Sequence, residues 1–254
     1  MHAGNQYTFR EVAIWTRRET ALFLILAAFP TTLYARFNCH WLALPWLPIA
    51  MIGTAVAFLT GFKNNASYSR LWEARQIWGS IVNSSRAMAI LIKATIADPE
   101  AGRRLIHRHI AWLTALRYQL REARVWENMT RRYNAEYQSN YKVAEWSDPI
   151  EPILKSLLSP ADFAALDGKK NRTVHLLDLQ SQDLATLVPT ELTHLEFQRH
   201  IAALLDAQGR CERIKNFPYP RQFSTLNLFF IWILIVTLPL GLMPEFAKLG
   251  PHFV

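Results

Sequence analysis

Two stretches of this chain are almost free of charge, and no other feature restricts its fold as much. Ala21 to Phe62 holds a single charged residue, Arg36, and Phe223 to Met243 holds none. A helix rises ~1.5 Å per residue against a bilayer core of ~30 Å, so about 20 mainly apolar residues are needed to cross it. The stretches supply three candidate spans: Thr20 to Phe37, short and interrupted by Pro30; Leu42 to Phe62; and Phe223 to Met243. Trp15 and Tyr34 suit the two interfaces of the first span, and Arg36 can snorkel outward. As core helices of a soluble protein, three such blocks would leave too little polar surface to cover them.

Between the blocks, Lys63 to Arg221 carries 23 Lys+Arg and 17 Asp+Glu over 159 residues, the composition of a moderately basic, water-facing domain. Disorder is excluded for most of a chain of 254 residues that is 51% hydrophobic. The expected division is 1–62, an N-terminal segment with two spans; 63–221, a helical domain; and 222–254, the third span and chain end. Arg10, Arg17 and Arg18 precede the first span, Lys63, Arg70 and Arg75 follow the second, and Lys215 and Arg221 precede the third, whereas the Phe37 to Trp41 turn has no Lys or Arg. The positive-inside rule then puts the N-terminus and the middle domain in the cytoplasm. The first apolar block lacks a small-x-small cleavage site and is read as a retained span.

Inside the middle domain apolar residues recur at helical spacing. Trp72, Ile77, Ile81, Ala87, Ile90 and Leu91 form one expected apolar face and Ile106, Ile110, Leu113, Leu116 and Leu120 a second, with a break at Asp98-Pro99. Loops are expected over Asn134 to Pro152 and Asp167 to Asn171, helix starts at Ser159-Pro160 and Pro189-Thr190, and a last amphipathic helix through Leu192, Phe197, Ile201, Leu204 and Leu205 ending before Gly209. Period-2 alternation is almost absent. The expected fold class is all-α: an integral membrane helical protein with a large cytoplasmic helical domain.

Enzymatic and metal chemistry find little to work with. Cys39 and Cys211 form no CxxC pair or zinc spacing, and neither His107-x-His109 nor His194/His200 has the i, i+4 spacing with a carboxylate of a metalloprotease helix. No metal, cofactor or catalytic nucleophile-base pair is therefore expected, and Gly-rich phosphate loops are missing. Arg103, Arg104 and Arg108 lack the context of a nucleic-acid-binding fold. Glu122, Glu127 and Glu136 among Arg121, Arg124, Arg131 and Arg132 read as a solvated, charge-laced helix face.

The informative region is Gly53 to Arg86, where the second span runs without a turn signal into the water-facing part. Thr54, Phe58 and Phe62 stand at i, i+4 and i+8 and share one helix face. On spacing alone, packing against a neighbouring helix is the first explanation of that face. Gly53, Ala55, Ala57 and Gly61 on other faces favour close helix packing.

The run Gly61-Phe62-Lys63-Asn64-Asn65-Ala66-Ser67-Tyr68-Ser69-Arg70-Leu71-Trp72-Glu73-Ala74-Arg75, followed by Trp78-Gly79 and Val82-Asn83-Ser84-Ser85-Arg86, closely resembles the signature of bacterial bestrophins. Cys211-Glu212-Arg213-Ile214-Lys215-Asn216 followed by Pro218 is similar to that family's segment before its third span. The residues that carry the resemblance are Gly61, Asn64, Tyr68, Arg70, Trp72, Glu73, Arg75, Trp78, Gly79, Asn83 and Arg86. The resemblance implies a homopentameric channel of the bacterial inner membrane, with one pore on the five-fold axis lined by the second helix. Its hydrophobic neck falls on Thr54, Phe58 and Phe62, and a second constriction at the cytosolic exit falls on Leu195. A three-span subunit cannot enclose a pore by itself, so assembly is required physically as well.

Two departures from the family stand out. The outer neck position holds Thr54 where the family has Ile, so one ring is partly polar and should wet more easily. The sequence stops at Val254, about where the family's fourth span would begin, so the calcium gating of eukaryotic members is not carried over. The expected partners are monovalent ions, the lipid bilayer and further copies of the chain, with no nucleic acid. Aromatic edges at Phe58 and Phe62 and the basic middle domain favour chloride or another monovalent anion; a cation-selective channel of the same fold and a non-conducting membrane-anchored scaffold stay open as alternatives.

Overall fold

The structure, a computed structural model, describes residues 7–127, 135–136, 143–188 and 190–250. Every regular element among them is helical, as expected. Helix α1, Phe9–Phe37, starts in a capping box made by Thr8 and Glu11 and ends at Asn38, whose φ of 53° is the left-handed conformation that Asn tolerates. Pro30 does not interrupt it, contrary to expectation. Proline removes the donor for the carbonyl four residues earlier, but the hydroxyls of Thr31 and Thr32 donate to the carbonyls of Ala27 (2.8 Å) and Ala28 (2.7 Å) and brace that turn.

Helix α2, Trp46–Thr95, is a single helix of 50 residues, ~75 Å long, so the span does continue without a break past Phe62. Helix α9, Arg221–Ala247, contains Pro239 and Pro244. Helices α1, α2 and α9 are each long and apolar enough to cross a membrane.

The chain divides into two compact units, and α2 takes part in both. In the first, Met1–Ser67 with Tyr219–Val254, α9 packs along α1 and against the start of α2. Leu44 N–H donates to Leu240 O at 3.1 Å just before α2 begins. Further along, Ile49 presses on Gly241, Leu234 sits 3.8 Å from where a Gly53 Cβ would be, and Thr60 reaches Asn227. The residue order shows that α2 and α9 run antiparallel.

The second unit, Tyr68–Pro218, combines the later part of α2 with α3 (Pro99–Arg121), α4 (Ala144–Ser147), α5 (Glu151–Leu157), α6 (Pro160–Ala165), α7 (Arg172–Leu187) and α8 (Glu191–Asn216). Asp98, Ser159, Asn171 and Thr190 cap α3, α6, α7 and α8 through their side chains. Gly168 takes the positive φ, 66°, of the expected turn. The core is built by Ile77, Ile81, Met88 and Ile92 of α2, Leu105, Trp112 and Leu116 of α3, Leu176 and Leu184 of α7, and Phe197 and Leu204 of α8.

Several sequence expectations need correction. Trp72, Ile90 and Ile110 are exposed, and the buried face of α3 runs through Ala101, Leu105, Arg108 and Trp112. Arg108 hid that face because a charged residue reads as solvent-facing. It is 2% exposed, and its guanidinium donates to Asp162 (2.8 Å), Asp183 (2.8 Å) and the Leu179 carbonyl (3.2 Å), the pairing a buried charge requires. Helix α8 does not stop before Gly209 but runs to Asn216, because Ala207 and Cys211 keep its core face buried past the glycine. The charge-laced face from Arg121 to Glu136 is not one helix: α3 ends at Arg121, and Glu127 turns back to pair with Lys215 and to accept the Arg124 N–H at 3.0 Å. Arg131, Arg132, Pro189 and, of the loop expected over Asn134 to Pro152, residues 134 and 137–142 lie outside the described residues; the described remainder of that loop holds α4 and the start of α5.

Candidate functional site

At about 100° per residue, Ile49, Gly53 and Thr60 lie on one side of α2, while Leu47, Met51, Thr54, Phe58 and Phe62 lie about 120° to 180° away. Helix α9 touches the first set. The second set is left as a stripe of exposed side chains, with Phe58 66% and Phe62 55% accessible. Within the chain, the face expected to pack on a neighbouring helix is therefore open. The rings of Phe58 and Phe62 meet edge to face, with centroids 4.5 Å apart and planes at 84°. Thr54 is exposed as well, and its hydroxyl donates to the Ala50 carbonyl at 3.0 Å.

The signature residues separate into two groups. Arg70 lies in the second unit and binds the end of α8, its guanidinium donating to the carbonyls of Ile214 (2.7 Å) and Phe217 (2.8 Å). Those acceptors belong to the last turn of a helix, where free carbonyls and the helix dipole both favour a cation. Glu73, one turn further along α2, pairs with Arg213, and a cavity of about 330 Å³ lies among Arg70, Glu73, Arg213, Ile214 and Phe217. Tyr68 and Trp72 stack with planes 13° apart. Asn64, Arg75, Trp78, Asn83 and Arg86 point to the exterior of the chain, and beyond the adjacent residues and backbone of α2 itself no described atom stands within 4 Å of a Cβ position at Gly61 or Gly79. Leu195, on the first turns of α8, is exposed beside Leu192. Among the described residues no group of three or more His, Cys, Asp or Glu is placed to hold a metal.

Sequence reasoning passed over Thr60 and Asn227. The available signal was that Asn227 is the lone amide between Phe223 and Met243.

The family model described as bacterial/fungal bestrophin protein matches residues 11–254. The chain belongs to that family. Among curated relatives, the voltage-dependent anion channel-forming protein RSc3414 of Ralstonia nicotianae is 29% identical over 85% of this chain and 66% of its own length. The voltage-dependent anion channel-forming protein YneE of Escherichia coli is 24% identical over 80% of this chain and 60% of its own. The chain thus spans less than two thirds of the length of these relatives. A crystal structure of a bacterial bestrophin homolog from Klebsiella pneumoniae superposes with a TM-score of 0.76 at 20% identity, covering 93% of this chain and 82% of that one. The fold is therefore the bestrophin fold, as the motif in α2 led one to expect. As a bestrophin the chain is a membrane protein and not an enzyme.

Proposed function

We propose that this bestrophin assembles as a pentamer in the bacterial inner membrane and conducts chloride or other monovalent anions through a neck lined by Thr54, Phe58 and Phe62. The observation that carries the reading is the exposed stripe on α2, turned about 120° to 180° from the face that meets α9. A helix supported from behind by α9, with aromatic side chains projecting in front, is suited to surround an axis with copies of itself. The names of the curated relatives support anion conduction, and family membership supports five copies.

Two physical terms favour anions. Aromatic rings carry a positive edge, so Phe58 and Phe62 turned edge-on to the axis favour an anion passing them partly dehydrated. The segment from Lys63 to Arg221 has 23 basic and 17 acidic residues, a balance of +6 that concentrates anions around a cytoplasmic domain. Leu195 forms the second constriction, at the exit.

Purified protein in planar bilayers under a KCl gradient tests the proposal. A reversal potential near the chloride equilibrium value is expected; one near the potassium value rejects anion selectivity, and silence from a verified pentamer rejects conduction in favour of a scaffold. Replacing Phe58 and Phe62 together by Ala should raise the conductance, because a hydrophobic constriction resists wetting in proportion to its bulk. Unchanged currents would remove these residues from the pore.

A further inference from the structure

We infer that Asn227 is a positioning residue for the neck: its side chain, bonded to Thr60, fixes the rotation of α2 about its own axis and so the direction in which Phe58 and Phe62 point. The inference rests on the neck reading above.

Asn227 is 4% exposed in a helix whose stretch from Phe223 to Met243 has no charge and no other amide. An amide buried in such surroundings is retained only with a partner, and here the Thr60 hydroxyl donates to Asn227 Oδ1 at 3.4 Å. Thr60 differs from five other threonines of these helices. Thr16, Thr31, Thr32, Thr54 and Thr237 each spend the hydroxyl on the carbonyl four residues back in their own helix. Thr60 instead reaches across to another helix.

The contacts that α2 and α9 make at their glycines are apolar: Ile49 and Trp46 on Gly241, and Leu234 by Gly53. Dispersion contacts tolerate sliding and rolling, whereas a hydrogen bond has a narrow range of distance and angle. With Cα atoms ~2.3 Å from the helix axis, a roll of ~30° moves each by ~1.2 Å and a hydroxyl further out by more. Rolled away from Asn227, Thr60 leaves hydrogen-bonding range, since its contact already stands at 3.4 Å. Phe58 and Phe62 turn with it, because they sit on the same rigid helix about 180° around.

The test reads the facing of α2 without requiring current. In a Cys39→Ser/Cys211→Ala background reconstituted in liposomes, single cysteines at Ala57, Phe58 and Leu59 are reacted with a charged, membrane-impermeant methanethiosulfonate. Ala57 and Leu59 flank the stripe by about 100° on either side. Cysteine at Phe58 should react several-fold faster than at either flank, and this preference should be lost with Asn227→Leu and with Thr60→Val but kept with Thr60→Ser, which retains the hydroxyl. A pair that only adds stability would lower the melting temperature and leave the preference intact. The same preference in Thr60→Val and in the original background overturns the inference, and Thr60→Val, nearly isosteric, decides it should Asn227→Leu fail to fold. If Phe58 shows no preference in the original background, the neck reading itself fails, a result separable from the first.

Discussion

Lowering the pH from 7 to 4 should destabilise the wild-type protein more than a His109→Gln variant, by an amount that follows from how one imidazole is buried. His109 Nε2 lies 2.9 Å from Ser85 Oγ, and the Ser85 hydroxyl donates its hydrogen to the Ile81 carbonyl at 2.7 Å. Ser85 can then only accept from His109, which places the ring proton on Nε2 and leaves Nδ1 as a bare lone pair. Nδ1 is buried with no hydrogen-bond partner among the described residues. Protonating it would create a charge and an N–H with nothing to receive them, and burial accordingly lowers the pKa from the ordinary 6.5 to about 4. The unfolded chain takes the proton at the ordinary value, so stability is full above pH 6.5 and is withdrawn as the pH falls toward 4. Relative to pH 7 the loss is about 2 kcal/mol at pH 5 and about 3 kcal/mol at pH 4. Gln keeps an N–H for Ser85 and does not titrate. Denaturant unfolding of both proteins at the three pH values gives the difference, in which carboxylate titrations common to both cancel. Equal losses between pH 7 and pH 4 would refute the burial argument.

Three further outcomes follow from contacts described above. Arg70→Ala removes two charge-assisted hydrogen bonds from the end of α8 and should cost about 2 kcal/mol locally, read as roughly 30-fold faster hydrogen exchange of the Phe217 amide, which bonds to the Arg213 carbonyl; unchanged exchange would mean the carbonyls are as well served by water. Gly241→Ala puts a methyl inside the contact radius of Ile49 Cδ1 and should destabilise the spans by about 1 to 3 kcal/mol, with Ile49→Val restoring much of the loss in the double variant. Additive losses would show that the clash lies elsewhere. Thr54→Val should move the reversal potential further toward chloride, because the Thr54 hydroxyl hydrogen is spent on Ala50 and only its lone pairs can face an ion; an unmoved potential would take Thr54 out of the ion path.

Capping and turn chemistry made the starts of α3, α6, α7 and α8 legible, since Asp98, Ser159, Asn171 and Thr190 act through their own side chains within three residues. Faces were harder to read. On α2 the buried set Ile77, Ile81, Met88 and Ile92 competes with equally apolar Trp72 and Ile90 on exposed sides. On α3 the core line passes through Arg108 and His109, which any hydrophobicity pattern assigns to water. Arg108 is held inside by Asp162 of α6 and Asp183 of α7, 54 and 75 residues away in sequence. That pairing is a tertiary fact, and no window of adjacent residues contains it.

The candidate site posed the same difficulty more sharply, because α2 is apolar all round where it spans. Thr54 and Thr60 sit about 120° apart on it, one on the exposed face and one on the packed face, so polarity did not separate the two. What separates them is size matched against α9. Gly241 makes room for Ile49, Gly53 makes room for Leu234, and Thr60 meets Asn227, so one side of α2 is shaped for close approach. Phe58 and Phe62 are too bulky for a seam whose spacing is set by two glycines, and turning the small residues inward leaves these rings outward. Their exposure is therefore a consequence of where the glycines of two distant segments fall, which explains why the motif in α2 could name the family while the direction of its phenylalanines had to come from α9.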